Sequence, residues 1–181
     1  MGYIENAITL YYQYLAMAPN DVNIMSRVGD MHRRLHQYDK CIQILERAIT
    51  ISPNSQFIIT NLAGAYRAKR QYDKAGELLR KGLEFNPDNA NFITLLAQCY
   101  NKQNLANKGE ETIRKRLFED PNHIPSLIVL TESLMIQSRF IDAESFLNEA
   151  ETLDTDRKHR LTIQRLRNAI QKNYTEKILI D

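Results

Sequence analysis

Residues 37–55 read QYDKCIQILERAITISPNS, and residues 71–89 read QYDKAGELLRKGLEFNPDN. The second stretch restates the first 34 residues later. Four of the five prolines, Pro19, Pro53, Pro87 and Pro121, keep that interval, and a further member would fall at Thr155. Small residues repeat in phase at Ala7, Cys41, Ala75, Gly109 and Ala143, and again at Gly29, Ala63, Ala97 and Thr131. Large apolar residues keep step at Val28, Leu62, Leu96 and Leu130, and at Tyr11, Leu45, Leu79, Ile113 and Leu147.

Each period holds two apolar stripes at helical spacing, separated by a short polar break. Each stripe covers about 14 residues, roughly four turns. Proline carries no N–H to continue the ladder, so Pro-Asn or Pro-Asp ends the second helix of each period. Helices are predicted at about 4–17, 22–35, 38–51, 56–69, 72–85, 90–103, 106–119, 124–137, 140–153 and 156–173, with bounds good to ~2–4 residues. One helix pair cannot bury its apolar faces alone, whereas stacked pairs make a continuous core.

This signature resembles the tetratricopeptide repeat family. The second unit reads Met25, Val28, Gly29, His32, Cys41, Leu45, Ala48 and Pro53. The third reads Ile59, Leu62, Ala63, Tyr66, Ala75, Leu79, Gly82 and Pro87. The fourth reads Ile93, Leu96, Ala97, Tyr100, Gly109, Ile113, Arg116 and Pro121, and the fifth runs from Leu127 to Thr155. The resemblance implies an all-α, right-handed α-solenoid of antiparallel helix pairs. Its parts would be a half repeat at 2–21, full repeats at 22–55, 56–89, 90–123 and 124–155, and a capping helix at 156–175. Arg116 departs from the pattern, standing where a small residue packs, so that helix should sit less tightly. In the last helix Leu161, Ile163, Leu166, Ala169, Ile170 and Tyr174 form one apolar face on an otherwise charged rod, as a terminal cap requires.

Composition excludes several classes. The 181 residues are 43% apolar and 25% charged, with a net charge of +2, too small by itself to imply nucleic acid or acidic membrane. No apolar run approaches the ~18 residues of a membrane span. The N-terminus lacks the basic start of a secretory leader, which favours a cytoplasmic protein. No glycine-rich phosphate loop, metal spacing or catalytic constellation occurs, and no cofactor is expected. Cys41 and Cys99 hold small-residue core positions and read as inert thiols. His32 takes the place of a packing tyrosine. Glu110 and Glu111 read as a solvated polar face.

The resemblance places the first helix of each unit along a concave groove that binds a peptide or partner segment. Its exposed positions would be Asn23, Ser26, Asp30, Arg33 and Arg34, then Phe57, Thr60, Asn61, Gly64 and Arg67. The fourth unit offers Asn91, Thr94, Gln98, Asn101 and Lys102, and the fifth Ile128, Glu132, Met135 and Ile136. Arg33, Arg67 and Lys102 suit acidic groups on a partner, and amides suit its backbone. Ser26 and Asp30 replace the Lys and Asn with which one subset of the family clamps chaperone C-termini, so that ligand is not expected. An asparagine ladder like that of the sugar-transferase members is broken at Arg27, Leu95 and Val129.

The expected function is therefore a non-enzymatic protein-interaction scaffold. The alternative is the substrate-docking or regulatory part of a larger enzyme, such as a transferase, whose catalytic domain lies outside this chain. RNA-reading helical repeats are disfavoured by the 34-residue period and its prolines. The basic last helix, with seven Lys or Arg between Arg157 and Lys177, offers membrane contact as a weaker alternative to a solvated cap. The first helix matches the second half of a repeat, so Ala7, Tyr11 and Tyr14 should be bare. They mark either a fragment of a longer chain, a self-association face or a partner's seat.

Overall fold

The computed structural model describes residues 2–178, with side chains from 3 to 173. These residues form ten α-helices and no strand. They are α1 (Gly2–Met17), α2 (Val22–Arg34), α3 (Tyr38–Ile51), α4 (Gln56–Ala68), α5 (Tyr72–Phe85), α6 (Ala90–Lys102), α7 (Ala106–Glu119), α8 (Ile124–Ile136), α9 (Phe140–Leu153) and α10 (Arg160–Ile178). The second helices α3, α5, α7 and α9 span the expected residues. The first helices α2, α4, α6 and α8 each stop one residue early.

The early stop has a backbone cause. His36, Arg70, Asn104 and Ser138, 34 residues apart, take positive φ of 57°, 59°, 59° and 60°. The left-handed residue turns the chain, and the next N–H reaches back into the finished helix. Gln37 donates to the His32 carbonyl at 2.8 Å, Gln71 to Tyr66 at 2.8 Å, Leu105 to Tyr100 at 2.9 Å and Arg139 to Leu134 at 2.9 Å. At the other turns Ser52, Asn86 and Asp120 leave the helical region, with φ of -131°, -143° and -137°, because a residue before proline is disfavoured there. Asp21 and Ser55 then cap the next helices through the Ile24 and Ile58 N–H groups.

The fold divides into two compact units, between Phe92 and Ile93. In the first, α2 packs on α3, α3 on α4 and α4 on α5, while α1 rests on α2. Close approach needs missing side chains. A Cβ on Gly29 would lie 2.4 Å from Leu45 Cδ2, and one on Gly82 would lie 2.9 Å from Phe92.

In the second unit α8 is apolar nearly all round and is covered by α7, α9 and α10. Its core gathers Ile113, Leu127, Leu130, Leu134, Leu147, Ile163, Leu166 and Ile170. Arg116 is accommodated in this unit. Its side chain is 13% exposed and its Nη2 pairs with Asp120 at 2.9 Å. The Nη2 end reaches Asp120 along the helix, while its Nε is buried without a hydrogen-bond partner among the described residues.

The last helix begins at Arg160, not 156. No proline stands at 155, and the buried Asp154 instead accepts the His159 N–H on both oxygens, at 3.1 and 3.0 Å. Ile163, Leu166 and Ile170 are buried as expected, but Leu161 is 86% exposed because it belongs to the first turn, beside the Asp154 loop. The Tyr174 side chain and Lys177 lie outside the described side chains.

Candidate functional site

The first unit carries a candidate surface. Helices α2 and α4 lie side by side, and a cavity of about 500 Å³ opens at their N-terminal ends. Val22, Asn23, Ser26 and Arg27 of α2 line one wall; Ser52, Ser55 and Phe57 line the other. Arg27 is exposed, and the Phe57 ring is half in solvent. The site thus combines an apolar ring, hydroxyls, an amide and a guanidinium. Asn23, Ser26 and Phe57 belong to the predicted set. Arg27 does not, although it stands at the same repeat position as Asn61, a signal the sequence contained.

One turn further along, a charged array spans the same two helices. Asp30 accepts from Arg33 Nη2 at 2.8 Å and from Arg34 Nε at 2.8 Å. Arg33 Nε donates to Asn61 Oδ1 at 2.8 Å, and the Asn61 amide donates to the Phe57 carbonyl at 2.9 Å. Two arginines share one carboxylate, which leaves a local charge of +1. A Cβ on Gly64 would meet only Arg33 Cδ, at 3.9 Å, so the surface above Arg33 is open. Asn91, at the start of α6, donates to Thr60 Oγ1 at 3.2 Å.

Five predicted contact residues are buried, four of them polar. The polar ones are Ser26, Asn61, Thr94 and Asn101. Ser26 donates to the Val22 carbonyl at 2.7 Å and so satisfies itself within α2. Asn61 is consumed by Arg33 and Phe57. Asn101 turns inward because Gly109 has no side chain: a Cβ there would lie 2.4 Å from Asn101 Oδ1. Its amide instead donates to the Val129 carbonyl at 3.3 Å.

In the second unit Lys102 is exposed, while Gln98, Glu132 and Met135 are half-buried. Ile128 is buried, Met135 packs against the core, and Arg165 of α10 approaches Glu132 at 3.5 Å. Helix α10 lies on α8, so the expected apolar end of the groove is largely filled by the chain itself.

Other titratable groups serve packing. His32 is buried; its Nδ1 donates to Gln37 Oε1 at 2.7 Å, so its Nε2 accepts from the Tyr12 hydroxyl at 3.0 Å. Burial lowers its pKa, against the opposing Gln37 hydrogen bond. Burial also pushes the Cys41 thiol up to about 11, far from a nucleophile's range. Glu110 is not simply solvated. It accepts from Gln137 at 2.7 Å, Arg114 at 2.8 Å and Arg139 at 3.1 Å, joining α7 to the α8–α9 turn. Burial alone would raise its pKa, but these donors outweigh it and hold the carboxyl low. Glu111, by contrast, is exposed and pairs with Lys115.

On α1, Ala7 and Tyr11 are half-buried and Tyr14 is exposed. The barest side chains are Tyr3, Leu10 and Met17. Tyr11 faces α2 with Ile8 and Leu15, which shifts the uncovered stripe away from it.

Among the described residues no helix is long and apolar enough to cross a membrane. A tetratricopeptide repeat model matches residues 32–99 and 66–128, together more than half of the chain. No curated protein matches the sequence. A crystal structure of MamA is similar with a TM-score of 0.77 at 17% identity, over 86% of this chain and 91% of that one. MamA from residue 41 to its end, from Desulfovibrio magneticus RS-1, gives 0.77 at 18% identity, over 87% and 89%. YrrB, described as a TPR protein with an unusual peptide-binding site, gives 0.73 at 14% identity, over 91% and 84%. At these identities the likeness is one of fold.

Proposed function

We propose, from the premise that the chain belongs to the tetratricopeptide repeat family, that it is a non-enzymatic scaffold whose α2–α4 surface binds an extended segment of a partner protein. The observation that carries this is the cavity at Asn23, Arg27 and Phe57, continuous along α2 with the Asp30–Arg33–Arg34 array. An apolar ring anchors one side chain, and amides and hydroxyls answer a peptide backbone. The exposed Arg27 and Arg34 favour acidic groups on the partner. On the second unit, taken by itself, Lys102, Gln98, Glu132 and Met135 are a separate candidate contact surface. YrrB, of similar fold, is a precedent for a peptide site on such a scaffold.

Affinity purification with crosslinking mass spectrometry identifies the partner and the crosslinked residues. Each exposed ion pair contributes only ~0–1 kcal/mol, so affinity should fall with added salt. The double reversal Arg27→Glu with Arg34→Glu should weaken binding about tenfold, and Phe57→Ala a similar amount. Partner affinity indifferent to all three changes rejects this surface.

A further inference from the structure

Helix α1 has three faces. Ile8 and Leu15 are buried, with Ile4 and Tyr11 half-buried beside them, on the side that meets α2. Glu5, Asn6, Thr9 and Gln13 are exposed on a polar face. Between the two runs a third stripe: Tyr3, Ala7, Leu10, Tyr14 and Met17. Its steps alternate four, three, four and three, the spacing of a seam that another helix covers. Tyr3, Leu10, Tyr14 and Met17 are 92%, 65%, 47% and 85% exposed. The aligned residues Cys41, Ile44 and Ala48 of α3, and Ala75 and Gly82 of α5, are buried. The middle of the face that packs in the later second helices is therefore apolar and largely bare in α1, while the positions aligned with Met17, which are Ile51 and Phe85, are exposed there as well. Glu5, the one charged side chain of the helix, lies off the stripe, so no charge opposes coverage.

We infer that this stripe pairs with the same stripe of a second copy, antiparallel, about a two-fold axis through Leu10. The stripe is its own complement. Leu10 is its midpoint, so an antiparallel copy sets Leu10 against Leu10, small Ala7 against large Tyr14, and the Tyr3 ring against the Met17 thioether. Small against large lets facing helices interdigitate, and sulfur beside an aromatic ring is favourable. A parallel copy would set Ala7 on Ala7 and Tyr14 on Tyr14, leaving a gap and a crowded layer. The bare side chains carry roughly 600 Å² per copy, taking about 200 Å² for each large one. A standard interface covers about 800 Å² per partner, so this one falls at the small end, where weak and transient pairings are found. This pairing uses a surface separate from the α2–α4 groove and stands without it.

Sedimentation velocity on the whole chain across ~1–500 µM should show a monomer–dimer transition with a midpoint at about 10–100 µM. Leu10→Glu sets two carboxylates together on the axis and should raise the dissociation constant about a hundredfold. Gln13→Glu, on the polar face, should leave it unchanged. Leu10 is largely exposed, so the far-UV signal and melting temperature of Leu10→Glu should match the parent. Orientation is read separately by oxidation. Leu10→Cys should form a disulfide-linked dimer. Tyr3→Cys alone should not, because its two copies stand ~21 Å apart in the antiparallel pair, whereas Tyr3→Cys mixed with Met17→Cys should. The native Cys41 and Cys99 are buried and do not compete. A monomer at every concentration overturns the pairing. A dimer that survives Leu10→Glu overturns the choice of face. Ready crosslinking of Tyr3→Cys to itself overturns the antiparallel arrangement.

Discussion

The Ser133 hydroxyl donates to Asn101 Oδ1 at 2.9 Å, inside the second unit and out of contact with solvent. Its proton is shared with the Val129 carbonyl at 3.0 Å, and the Asn101 amide reaches that same carbonyl. Asn101 thus ties α6 to α8 rather than serving a ligand. The tie exists because Gly109 of α7 leaves room for it. Asn101→Leu should destabilise by about 1–3 kcal/mol, since it strands buried polar groups, while partner affinity should hold. Gly109→Ala should cost a similar ~1–3 kcal/mol by overpacking, because a Cβ there also lies 3.2 Å from the Ala97 backbone carbonyl. Urea denaturation of both variants checks the ordering. A loss of partner binding by a fully folded Asn101→Leu would return Asn101 to the ligand surface.

The left-handed turn residues store strain. Arg70 takes φ 59° with a full side chain, and it is exposed. Glycine relieves the Cβ clash at such a position. Arg70→Gly should therefore stabilise the chain by ~0.5–1 kcal/mol, although glycine destabilises most other helix-flanking sites. The β-branched Arg70→Val should lower stability by at least ~1 kcal/mol. Thermal melts of the two variants should move in opposite directions.

His32 makes stability depend on pH. Its folded pKa is lowered by burial, so below about 6.5 the unfolded chain takes up a proton that the folded chain resists. The stability is present above pH 6.5 and is lost as the pH falls toward the folded value. His123, lowered by burial and by Arg116, acts in the same sense. Paired carboxylates such as Glu110, held low in the folded chain, lose their contribution only as the pH falls from the usual carboxylate range toward the lowered folded value, so the windows separate. His32→Tyr, which installs the residue found in phase at Tyr66 and Tyr100, should flatten the fall between pH 7.5 and 5.5. Denaturant midpoints measured across that range test it, and an unchanged slope would reject His32 as a source.

The basic last helix should stay off anionic vesicles at physiological salt. In α10 Arg165 is met by Glu132 and Arg167 by Glu151, and in the turn before it Lys158 is met by Asp156. Basic residues already neutralised contribute little of the ~1 kcal/mol each that a membrane surface offers. Co-sedimentation with phosphatidylserine-rich liposomes should leave the protein in the supernatant. Pelleting that disappears with added salt would restore the membrane reading.

What the sequence determined by itself was the periodic frame. The 34-residue interval of prolines and small residues was enough to locate α3, α5, α7 and α9, because helix ends and apolar stripes depend on neighbours within a few positions. The candidate groove was legible as a list of first-helix positions, and Asn23, Arg34, Phe57 and Lys102 do stand exposed there. The fate of individual polar side chains was not legible. Whether Asn61 or Asn101 meets a partner or its own protein depends on Arg33, Gly109 and Ser133, residues 8 to 32 positions distant that only the packed helices bring together. Leu161 and the start of α10 were misplaced for the same reason. Without a proline at 155, the turn was left to Asp154, whose buried carboxylate gathers the His159 N–H, and a contact of that kind is set by tertiary burial rather than by local pattern.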